Sequence, residues 1–183
     1  MLSKKLKEQK GVSIIMLIVA IAMMAIVVSF AVFNSKDTTL EAKLASAYSS
    51  VKAVKDACDN AEMLIELNPN EYDEFYFFGH NLEYKLTEAE RDDYATRCNL
   101  SGSTDFSERT YIIKPADSED EEALKEEKNI LENLEIKGIS YTYVVDLEKE
   151  KYYILDGVLG LGGNRVHEYT DIIKEYELIV GKN

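Results

Sequence analysis

The segment LEAKLASAYSSVKAVKDACDNAEMLI, residues 40–65, places apolar side chains at alternating steps of four and three: Leu40, Leu44, Ala47, Val51, Val54, Cys58, Ala61 and Ile65. That spacing makes one stripe along an α-helix, with Lys43, Lys52, Lys55, Asp56, Asp59 and Glu62 on the other faces. The stripe needs a partner surface. A folded head from the same chain is one candidate. A second copy in a parallel coiled coil is the other, weakened by the small Ala47 and Ala61. Asn68-Pro69-Asn70 predicts the end of the helix, because the residue before proline is disfavoured in helical conformation.

Working back from the stripe, no glycine or proline occurs between Gly11 and Pro69, so nothing forces a break. One helix over residues 12–67 would be about 84 Å long. Two helices with a bend near residues 34–39 are the alternative and leave the topology unchanged. Residues 12–33 carry no charge, and Ser13 and Ser29 are their only hydroxyls. At a helical rise such a run covers about 33 Å, enough for a hydrocarbon core of about 30 Å. Lys4, Lys5, Lys7 and Lys10 precede it, and Lys36, Asp37 and Glu41 follow. The positive-inside rule then puts the N-terminus in the cytoplasm and everything after Phe33 outside. The rival is a secretory signal cut at Ser29-Phe30-Ala31, which would release a soluble product near Val32. Its apolar region would exceed the usual length of about 7 to 15 residues.

Lys10-Gly11-Val12-Ser13-Ile14-Ile15-Met16-Leu17-Ile18-Val19-Ala20-Ile21 resembles the class III signal of type IV pilins and type II secretion pseudopilins: a short basic leader ending in glycine, then a hydrophobic helix. The resemblance implies that a membrane prepilin peptidase cuts between Gly11 and Val12 on the cytoplasmic side and methylates Val12. Glycine suits such a bond, since it offers no side chain to block a protease and interrupts the helix. In one respect the chain departs from the family: the fifth mature position, usually Glu, is Met16 here. In the family that carboxylate is thought to pair with the N-terminal amine of a neighbouring subunit, a contact that fixes register more than it adds stability. Its absence points to a minor or initiating subunit.

The organisation expected is therefore a basic prepilin leader over residues 1–11, a transmembrane helix over 12–33, its amphipathic continuation over 34–67 and an extracytoplasmic α+β head over 68–183. The resemblance implies a pilin-like fold, with the long helix packed on a small antiparallel sheet. It also implies a structural subunit, not an enzyme, assembled into a type IV pilus or a secretion or competence pseudopilus. Its partners would be the prepilin peptidase, other pilin or pseudopilin subunits, and membrane lipid before assembly. A single-pass anchored binding or sensory module that never assembles is the alternative.

Charge agrees with an exported head. The leader's four lysines against Glu8 give +3, which leaves −16 for the remainder of a chain at −13 overall. Nucleic acid and anionic lipid call for a basic patch, and none occurs beyond the leader. Within the head, Tyr72, Phe75, Tyr76, Phe77 and Phe78 form an aromatic cluster expected to pack on the long helix. Residues 83–97 read as a polar helix in which Thr87 and Glu90 are spaced as a capping box. Ser101-Gly102-Ser103 reads as a loop. Tyr111-Ile112-Ile113 is strand-like and closes at Pro115. Residues 117–135 read as an acidic helix with its carboxylates concentrated in the first turns, where the helix dipole favours them. Strict alternation then runs through Ile139, Tyr141, Tyr143, Val145 and Leu147, and with residues 152–155 it predicts a hairpin. Gly157, Gly160, Gly162 and Gly163 mark a loop, and residues 170–180 a final helix or strand.

No cofactor or metal is expected, because the carboxylates do not fit an EF-hand loop and the glycines match neither a dinucleotide fingerprint nor a P-loop. His80 and His167 sit in no catalytic motif. Cys58 and Cys98 form an even pair that can be a disulfide on an oxidising side of the membrane or two buried thiols.

Overall fold

The computed structural model describes residues 39–115 and 121–181, with backbone only for 121–124. The chain divides into two units, Met1–Leu40 and Glu41–Asn183. The second is an α+β unit built on one antiparallel sheet. Its first helix, α1, covers residues 39–67. Three helices follow: α2 (Glu74–Phe78), α3 (Leu82–Lys85) and α4 (Glu88–Arg97). After a 3-10 turn at Ser103–Asp105 come β1 (Thr110–Ile113), α5 (Glu121–Asn133), β2 (Tyr143–Asp146), β3 (Lys151–Leu159), β4 (Arg165–Glu168) and α6 (Tyr169–Val180). Strand order is β1-β2-β3-β4, each pair antiparallel.

Helix α1 is unbroken through the stripe, and Leu44, Ala47, Val51, Val54, Cys58 and Ala61 are all buried. Leu40 and Ile65, at its ends, are half-buried. The stripe's partner is the sheet of the same chain. Pairing sets Tyr111, Val145 and Tyr152 side by side, and likewise Ile113, Tyr143 and Ile154. Alternation puts these on one face and Ile112, Val144 and Tyr153 on the other. The first face meets α1: the hydroxyls of Tyr143 and Ser50 lie 2.5 Å apart, and the Tyr152 hydroxyl donates to Asp59 at 3.2 Å. The second face carries a cluster in which Leu82, Cys98, Ile112, Val144, Tyr153 and Leu155 pack under α3 and α4. The coiled-coil reading of the stripe is thus displaced, because the surface it would offer a second copy is already covered. Burying each large apolar side chain of this kind contributes roughly 1.5–3 kcal/mol.

Several local expectations are corrected. Residues 83–97 are two helices, not one. Leu86 is extended between them, and Thr87 caps α4 in the expected capping box with Glu90. The alternating run begins its strand only at Tyr143, and both of its faces are buried, because the sheet is covered on two sides where alternation anticipates one. The hairpin between β2 and β3 is present. Asp146 holds its turn: the buried carboxylate accepts from the Ser107 amide at 3.0 Å, the Ser107 hydroxyl at 2.6 Å and the Lys149 amide at 3.0 Å. The chain's final element is a helix. Of the four loop glycines, Gly157 lies inside β3, where the register with β4 slips. Asp156 and Gly157 both take positive φ there, and a Cβ on Gly157 would come within 2.7 Å of the Val166 carbonyl. Arg97 pins this bulge from α4 through two bonds to the Asp156 carboxylate, at 2.8 and 2.6 Å. Helix α2 rests on β1 and α5, with the Phe78 ring 5.1 Å from that of Tyr111.

Candidate functional site

Gly11, Val12 and Met16, with the leader and the expected span over residues 12–33, lie outside the described residues. No helix among the described residues is long and apolar enough to cross a membrane. The two cysteines are free and buried. Cys58 belongs to the α1 stripe and Cys98 to the cluster under α3 and α4, so the sheet stands between them. Of the two alternatives for this pair, the structure holds the thiols rather than the disulfide. Burial, reinforced by Asp59 and Glu62, pushes the Cys58 thiol well above its ordinary range. Burial likewise pushes Cys98 up to about 12. Thiols so placed react poorly, since the thiolate is the nucleophile.

The far end of α1 is tied to the rest of the unit by a polar network. Arg109, just before β1, donates from Nη2 to Glu62 of α1 and from Nε to Glu74 of α2, both at 2.7 Å. The Tyr111 hydroxyl donates to the same Glu74. Burial, followed by the bond to Glu74, pushes the Tyr111 phenol up. Beyond this network Met63, Leu64 and Leu67 of α1 are exposed, as are Leu178 and Val180 of α6.

At the α2 end the turn at residues 69–73, α2 and α5 enclose a cleft of about 440 Å³. Asp73 builds α2 by capping it, its Oδ1 accepting from the Tyr76 amide at 2.8 Å. That helix is short, and Gly79 ends it at positive φ. Phe77 and Phe78 turn inward, while Phe75 and Tyr76 remain exposed. The rings brace one another: Tyr72 and Tyr76 are 5.2 Å apart, and Phe75 meets His80 edge-on at 4.8 Å. His80 in turn stacks on Tyr84 at 4.0 Å. On the α5 side, Asn133 donates to the Tyr76 carbonyl at 2.6 Å, and Glu126 receives Lys85 at 2.9 Å. The Lys85 bond and charge hold the Glu126 carboxyl below its usual range despite burial that opposes this. Sequence reading noticed the aromatics but not the cleft. The available signal was Asn129 and Asn133 at helical i, i+4 spacing on the helix that faces them.

His167 stands apart in β4 against Gly157, and its Nδ1 is buried with no hydrogen-bond partner. Among the described residues no three His, Cys, Asp or Glu side chains converge as a metal ion would require.

Comparison with known proteins found no family model, no curated protein and no solved structure that matches this chain.

Proposed function

We propose that the chain is a pilin-like structural subunit, held in the membrane by residues 12–33 and assembled into a filament or pseudopilus after cleavage between Gly11 and Val12. The observation that carries this reading is how the apolar surface of one continuous stretch is divided. The stripe over Leu44 to Ala61 is occupied by the chain's own sheet. The uncharged run over residues 12–33 has no comparable polar faces and begins immediately after a basic leader ending in glycine. A stripe spent on the same chain leaves the uncharged run as the segment suited to lipid and then to a bundle of similar helices, where apolar contacts replace lipid contacts. Exposed Met63, Leu64 and Leu67 add apolar surface for neighbouring subunits. Met16, where the family has Glu, favours a minor or initiating position over the repeating one.

Mass spectrometry of the N-terminus, in cells with and without a prepilin peptidase, tests this. A peptide beginning at methylated Val12 is expected only when the peptidase is present. An intact Met1 or Leu2 start in both cells would leave the chain a plain anchored module, and a soluble product beginning near Val32 would make it a secreted one.

A further inference from the structure

The cleft between α2 and α5 offers surfaces of two kinds. One wall is aromatic, formed by Tyr72, Phe75 and Tyr76, of which Phe75 is 58 % and Tyr76 44 % exposed. Rings left in water at that level, and held in place by mutual contacts, present apolar area at little further entropic cost on binding. The other wall and the rim carry the side-chain amides of Asn70, Asn129 and Asn133. Asn133 spends one N–H on the Tyr76 carbonyl and keeps its oxygen and second N–H. Asn70 and Asn129 are engaged with nothing in the described residues.

Charge narrows the ligand. Among the described residues no lysine or arginine lines the cleft, so phosphate and carboxylate ligands find no counter-ion there. Of the three carboxylates that line it, Glu126 pairs with Lys85 and Asp73 accepts the amide bond that starts α2. The rings and amides together fit a neutral molecule with a flat apolar face to lie on the rings and hydroxyls to exchange bonds with the amides. The volume is that of an ordinary small-ligand cleft, in the range of about 300–1,000 Å³.

We infer that this cleft binds a neutral oligosaccharide, with Phe75 and Tyr76 as the stacking platform and Asn129 and Asn133 as the hydroxyl-reading groups. The inference does not depend on how the chain is anchored or processed.

The test uses the full-length chain purified in a detergent without a sugar headgroup. It is titrated with cellotriose, maltotriose and tri-N-acetylchitotriose, and binding is read by saturation-transfer NMR. At least one trisaccharide should saturate at or below about 1 mM, a modest free energy for a ligand of that size. Phe75→Ala and Tyr76→Ala should each weaken it at least tenfold, with circular dichroism unchanged because both side chains are exposed. Asn129→Ala, a milder change on α5, should weaken it severalfold, whereas Leu178→Ala on α6 should have no effect. Saturation by none of the three sugars would overturn the inference. So would sugar binding that survives Phe75→Ala and Tyr76→Ala, or saturable binding of tetramethylammonium that displaces the sugar.

Discussion

The two faces of the sheet are covered in different ways. One lies under a single long helix, where small residues, Ala47, Cys58 and Ala61, let the backbone come close and tyrosine hydroxyls reach across to Ser50 and Asp59. The other lies under two short helices whose hold is a dry cluster, supplemented at the periphery by the Arg97–Asp156 pair. The first cover is specified by a periodic stripe. The second is assembled from pieces that have no meaning until the sheet exists. A cover of the first kind should fail all at once when one position is spoiled, and a cover of the second kind by degrees.

The largest effect expected follows from charging the stripe. Val54→Asp would bury a carboxylate with no partner under the sheet and should cost more than about 4 kcal/mol, so that the unit no longer unfolds cooperatively in a denaturant titration. Retention of a cooperative transition would mean that α1 lifts easily from the sheet, against the comparison above.

Neighbouring residues on β1 compare the faces directly, since Ile113 points toward α1 and Ile112 toward α3 and α4. Truncation of either to alanine should cost roughly 2–5 kcal/mol if both faces are close-packed. An Ile112→Ala cost below about 1 kcal/mol, with Ile113→Ala in the full range, would show that the short helices are a loose lid.

Alkali tests both faces together. Burial pushes up the phenols of Tyr111, Tyr152 and Tyr153, and Tyr143 to about 12. A tyrosine whose folded value is raised stabilises fully below its unfolded value of about 10 and loses that contribution as pH rises through the folded one. Stability should therefore be flat through pH 9 and fall above about pH 10. The buried rings should yield their tyrosinate absorbance together with the loss of circular dichroism, and the chain's lack of tryptophan keeps that absorbance clean. Full tyrosinate absorbance reached well before unfolding would mean that these rings are open to water.

The smallest effect belongs to the peripheral clamp. The hydrogen bond from Arg97 holds the Asp156 carboxyl below its usual range. Its contribution is therefore present above about pH 4 and disappears as pH falls through the depressed folded value. Both side chains are more than a third exposed, so Arg97→Ala should cost no more than about 1 kcal/mol at neutral pH, and the difference from the parent should vanish in acid. A larger cost would give the bulge at Asp156-Gly157 a greater share in holding α4.

Legibility in the sequence follows the same division. The stripe, the α4 capping box, the β2–β3 hairpin and the stop at Pro69 were readable because each is set by residues near one another in the chain. The second cover was not, because Leu82, Cys98 and Leu155 have no common period and meet only across the sheet. Covering the second face is also what turned an alternating strand pattern into strands buried on both sides. The network of Arg109 with Glu62 and Glu74 escaped notice for a related reason: an arginine forty-seven residues from one partner leaves no spacing signal. The cleft was half legible, as an aromatic density without its facing wall. Gly11, Val12 and Met16 lie outside the described residues, and the roles proposed for them in processing and assembly are matters for chemical analysis of the mature chain.

Accessibility from outside the cell tests the central claim most directly. In a chain with Cys58→Ser and Cys98→Ser, a single cysteine placed at the exposed Ser101 is treated with a membrane-impermeant maleimide on intact cells. The account expects labelling before lysis and recovery of the labelled chain with the membrane or with sheared surface filaments. Labelling only after lysis, with the chain in the soluble cytosolic fraction, would contradict it.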